Sequence, residues 1–111
     1  MLGLKPYLIV RASVDPSVMD DFYRWYEQTH LPHVMEIPGI VKAYRTNWGR
    51  GPANWTALYE FDNEESVQRA LNSPQATVAR QDWERWLPHV SELTVEVYAV
   101  LGPLPTYHHW N

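Results

Sequence analysis

Hydrophobic periodicity along this chain switches from two to about 3.6 and back, twice, and that order leaves few folds open. Tyr7, Leu8, Ile9, Val10, Ala12 and Val14 predict a strand over 6–14 that is apolar on both faces, interrupted on one by Arg11 and Ser13. Asp15-Pro16 then reads as an N-cap with proline at the first helical position, where its missing N–H costs nothing. Val18, Met19, Phe22, Tyr23, Trp25, Tyr26 and His30 recur at helical spacing. Pro32 is expected to end or kink this helix, and Ile37-Pro38-Gly39 to turn the chain.

A second strand is predicted over 40–48, with Ile40, Lys42, Tyr44 and Thr46 on one face and Val41, Ala43 and Arg45 on the other. After the loop Gly49-Arg50-Gly51-Pro52, a third strand over 54–61 gathers Trp55, Ala57, Tyr59 and Phe61 opposite Thr56, Leu58 and Glu60. Asp62 and Glu65 resemble a capping box for a helix through Asn72. Ser73-Pro74 restarts the helix, with Ala76, Ala79, Trp83, Trp86 and Leu87 on one side, until Pro88 stops it. A fourth strand over 91–101 sets Leu93, Val95, Val97, Ala99 and Leu101 against Thr94, Glu96, Tyr98 and Val100.

The order β-α-β-β-α-β closes most simply as an α+β, ferredoxin-like sandwich. Its antiparallel sheet would carry the helices on one face, in a single domain over 1–101, with 102–111 as a C-terminal tail. That tail, with His108 and His109, reads as a solvated end or as a segment packing on a partner subunit. The bare sheet face would include apolar Leu58, Tyr98 and Val100, which favours a two-fold homodimer pairing the two sheets. Arg11 and Arg45 are expected there beside Glu60 and Glu96, as paired charges in the dimer interior.

Composition narrows the function. Nine Lys+Arg against 13 Asp+Glu, with no basic run, argue against nucleic acid as a partner. Without cysteine there is no disulfide framework and no thiolate chemistry. No apolar run approaches the roughly 20 residues that span a bilayer, so the reading is no membrane and a cytoplasmic location. Six tryptophans and seven tyrosines exceed what a core of this size absorbs. They must pack efficiently, meet a partner chain or line a cavity.

Residues 25–45 carry a resemblance. Trp25-Tyr26-x-x-x-His30-Leu31-Pro32, then Ile37-Pro38-Gly39-Ile40 and Tyr44-Arg45, resemble the dimeric α+β barrel superfamily and, within it, the EthD-like proteins. The resemblance implies a barrel formed by two copies. It is shared with proteins linked to ether degradation, polyketide dehydratases, muconolactone isomerases, cofactor-free monooxygenases and haem-degrading enzymes.

His30, at the expected end of the first helix, is the leading candidate for a general acid/base, since the helix dipole there favours an imidazolium. Tyr26 and Tyr44 would orient the substrate. Tyr23, His33, Trp55, Tyr59, Trp83, Trp86 and His89 would line its site, if the Trp55 face is the helix-covered one. His30, His33 and Glu36 are too loosely spaced to argue for a metal, and no nucleotide or phosphate loop is present, so no cofactor is expected. The reading is a cofactor-independent dehydratase or isomerase, or less favoured a monooxygenase, acting on an aromatic or polyketide-like metabolite. The alternatives are a non-catalytic dimeric binder of a small hydrophobic molecule, and a haem-handling protein with His30 or His89 as axial ligand.

Overall fold

A computed structural model describes residues 5–46 and 53–98; Trp48, the glycine loop and the tail with His108, His109 and Trp110 lie outside them. The strands β1 (Tyr7–Val14), β2 (Ile40–Thr46), β3 (Trp55–Phe61) and β4 (Val90–Tyr98) form one antiparallel sheet in the order β2-β3-β1-β4. Between β1 and β2 lie a 3₁₀ turn over Pro16–Val18, α1 (Met19–Trp25), a π-helical turn over Tyr26–His30 and α2 (Leu31–Met35). Between β3 and β4 lie α3 (Ser66–Leu71), α4 (Pro74–Asp82) and a 3₁₀ stretch over Trp83–His89.

The local signals work as their chemistry requires. Asp15 accepts from the Ser17 N–H, and Ser73 Oγ caps α4 at the Ala76 N–H. The start of α3 is capped differently from expectation: Asn63 Oδ1 accepts from the Ser66 N–H, and the Ser66 hydroxyl donates to Asp62. Gly39 sits at φ 100°, where a Cβ would also lie 2.9 Å from the Ser66 Cβ. Only glycine fits that turn.

Two expectations need correcting. Pro32 does not end the first helix, which continues to Met35. Just ahead of the proline, the Leu31 N–H reaches back five residues to the Tyr26 carbonyl. This wider turn absorbs a ring that would otherwise crowd the carbonyl four residues earlier. The face pattern of β2 is also inverted after its first residue. Ile40 pairs with Phe61, but a bulge intervenes and Ala43 then pairs with Tyr59 and Tyr44 with Leu58. Ala43 and Arg45 therefore share the helix-covered face, and Tyr44 stands exposed on the other.

The core lies between sheet and helices. From β3 it takes Trp55, Ala57, Tyr59 and Phe61, all essentially fully buried, and from β1 Val10, Ala12 and Val14. Phe22 of α1 is its hub: its ring lies 5.3–5.6 Å, centroid to centroid, from Trp25, Trp55, Trp83 and Trp86. Four indoles are thus absorbed in one aromatic cluster. Two of them carry a cost, because Trp55 Nε1 and Trp86 Nε1 are buried and find no acceptor among the described residues.

Candidate functional site

The same sheet face that holds this cluster carries an apolar cavity of about 360 Å³, lined from all four strands. Leu8, Val10, Ile40, Phe61, Ala79 and Leu93 are among its walls. Leu87 and Val95 also line it and are half or more exposed, so the cavity opens between the 3₁₀ stretch and β4. Polar groups are few: His30, Tyr59, and Arg80 with Glu84. Such a wall selects an apolar body and leaves recognition to a small number of polar tips.

His30 is held tightly. It is 3% exposed, its ring stacks on Trp25 at 5.1 Å, and the edge of Trp83 meets it at 5.6 Å. Its Nδ1 lies 3.0 Å from Asp82 Oδ2, at the end of α4. His33, one turn further on, places its own Nδ1 2.8 Å from the same oxygen. Since the helix runs on past it, His30 does not sit at a helix end as expected, and burial rather than the dipole governs its charge. Burial lowers its pKa below the usual 6.5; Asp82 works in the opposite direction and His33 adds to the lowering. At neutral pH the imidazole is therefore uncharged, and its contact with Asp82 is a hydrogen bond to a carboxylate rather than an ion pair.

The phenols divide. Tyr59 lines the cavity, and its hydroxyl shares a 2.8 Å hydrogen bond with that of Tyr26 behind it. Burial raises the pKa of both, so the pair stays protonated. Tyr44 is not in this group: the β2 bulge sends it to the opposite sheet face from His30. Tyr23 packs under the Arg45 guanidinium at 5.1 Å, and Arg45 reaches Glu27 instead of the bare-face acids expected for it. On that bare face Arg11 pairs with Glu96 as expected, at 2.5 Å.

Of the remaining candidates, Trp83 lines the cavity, whereas Trp55 and Trp86 are core. His89 is exposed, packs on the ring of Trp86 and lies outside the cavity. His33 is half-buried and does not line the cavity. Asp82 was missed by the sequence reading. A signal existed, because Asp82 falls at the inward spacing between Ala79 and Trp86, where an acid is out of place unless it has a partner. Among the described residues no group of three or more His, Asp or Glu side chains is disposed to hold a metal ion. No helix among them is long and apolar enough to cross a membrane.

No family model matches the chain, and no curated protein does. Solved structures do. An ethyl tert-butyl ether degradation (EthD) family protein of Bacillus halodurans superimposes with a TM-score of 0.71 at 20% identity, over 88% of this chain and 100% of that one. A dabb family protein with a ferredoxin-like fold, from Mesorhizobium loti, gives 0.66 at 15% identity, over 88% and 98%. The chain has a ferredoxin-like fold. The ferredoxin-like domain also resembles the haem degrader MhuD of Mycobacterium tuberculosis, solved with two haems in its active site, at a TM-score of 0.62 and 14% identity, over 90% and 99%. Likeness at these identities establishes the fold and leaves the chemistry to the site.

Proposed function

We propose that the chain is a cofactor-independent enzyme that moves a proton on a small hydrophobic molecule, in a dehydration or isomerisation, with His30 as the general acid/base. The observation that carries this reading is a buried imidazole, anchored through Nδ1 by Asp82, in the wall of an otherwise apolar cavity. A neutral imidazole is a competent base at pH 7, and an apolar surround protects the charged intermediate from water. The Tyr59 hydroxyl, kept protonated by burial and by Tyr26, is the group suited to donate a hydrogen bond to a carbonyl or enolate oxygen of the ligand. The walls are chiefly aliphatic, so the ligand's body need not be aromatic.

The test is deuterium uptake from heavy water into a panel of hydrophobic ketones, phenols and polyketide-like compounds, read by mass spectrometry alongside binding by calorimetry. Wild-type protein should bind and label at least one compound. Ala79→Phe, which puts a larger side chain into the cavity wall, should lose binding and labelling together. Tight binding with no labelling and no conversion would leave a non-catalytic binder, and a sharp Soret shift on adding haemin would favour haem handling.

The sheet face away from the helices is the proposed homodimer surface. It presents Tyr7, Ile9, Tyr44, Leu58 and Tyr98; on it Arg11 is paired with Glu96, and Glu60 accepts a hydrogen bond from the Tyr7 hydroxyl. A second copy can cover the Arg11–Glu96 pair without the penalty of burying either charge alone. Light scattering at micromolar concentration should give twice the 13.0 kDa of one chain, and Ile9→Glu should return it to one. A monomeric wild type sinks this part of the proposal.

A further inference from the structure

His30 and His33 compete for one oxygen. Side-chain exposure rises from 4% at His30 through 12% at Asp82 to 35% at His33, so the three form a short path from the cavity wall to solvent. An ionised carboxylate only accepts hydrogen bonds, so each Nδ1 facing Asp82 Oδ2 must carry its proton. Neutral His30 is then the Nδ1–H tautomer, and its basic lone pair is on Nε2. That nitrogen makes no hydrogen bond to any described residue, and the ring borders the cavity.

We propose that Asp82 and His33 are positioning residues for His30: Asp82 fixes the tautomer that presents Nε2 to the cavity, and His33, sharing the same oxygen from the solvent side, controls how much of the carboxylate's charge is available to His30. This rests on the reading of His30 as the acid/base. When Nε2 takes a proton from a ligand, the new imidazolium is stabilised by Asp82, the acid its Nδ1 already contacts. Glu27 is engaged by Arg45, and the Tyr26–Tyr59 pair on the neighbouring turn and on β3 is uncharged. Arg80 and Glu84, from α4 and the 3₁₀ stretch, line the cavity with opposite signs. A proton on His33 puts a second cation on the one carboxylate oxygen and works against charging His30.

The experiment is long-range ¹H–¹⁵N NMR of the imidazole rings in the full-length protein, followed through a pH titration for wild type, His33→Gln and Asp82→Asn. Wild-type His30 should show the Nδ1–H tautomer at neutral pH. His33→Gln, at a half-exposed site that folding tolerates, should keep that tautomer and move the His30 midpoint upward. Asp82→Asn should lower the midpoint and let the Nε2–H tautomer appear. An Nε2–H tautomer in wild type overturns the role of Asp82, and a His30 midpoint unmoved by His33→Gln overturns that of His33. These spectra need no substrate, so a failed search for turnover counts against the proposed function and not against this arrangement.

Discussion

Phe22→Ala should cost about 3–5 kcal/mol of folding stability, the usual penalty for removing a fully buried phenylalanine. The ring is 0% exposed and is the common neighbour of Trp25, Trp55, Trp83 and Trp86. Indoles are rigid and already interlocked with one another, so they cannot readily close over the gap. Against a total of about 5–15 kcal/mol for a domain this size, such a loss leaves little margin. Urea unfolding followed by tryptophan fluorescence measures it directly, with exposed Val78→Ala as a control expected within about 0.5 kcal/mol of wild type. A loss below about 1 kcal/mol would mean that the cluster repacks and that Phe22 is not its hub.

His30→Gln should reduce deuterium uptake into a bound substrate by roughly 10²- to 10⁴-fold, the range general base catalysis contributes. Ligand affinity should change only a few-fold, because the apolar walls that supply it are untouched. The pH profile carries the sign of the burial effect. Because the folded His30 pKa lies below 6.5, its basic form persists below that pH, and labelling should fall only as pH drops through the lower, folded value. Stability follows the same window. The unfolded chain takes up this proton below 6.5 while the folded one resists, so stability is full above 6.5 and declines as pH falls toward the folded value. His30→Gln should remove that part of the decline. If labelling is unchanged in His30→Gln, the base is another group and the proposed chemistry fails.

The sequence reading succeeded where one period governed a whole element. Alternation in β3 placed Trp55, Ala57, Tyr59 and Phe61 on one face, which the structure buries, and Ser73-Pro74 marked the start of α4. It failed where a single residue changed the count. The bulge after Ile40 reversed every later side chain of β2, which sent Tyr44 away from His30 and brought Arg45 to Tyr23 and Glu27. The π-helical turn did the same kind of work in the first helix, carrying it past Pro32 and turning His30 from a helix end into a buried interior position.

Periodicity by itself was enough to determine the βαββαβ order and which residues of β3 share a face, because these depend on spacings of two to four residues; it left open whether the helices cover that face. The tertiary structure alone decided that burial lowers the pKa of His30, that Asp82 holds it across 52 residues of sequence, and that most of the tryptophan surplus is core while Trp83 also walls a cavity. Those outcomes depend on which elements meet and at what distance. Local spacing carries no information about a contact made by packing one helix against another.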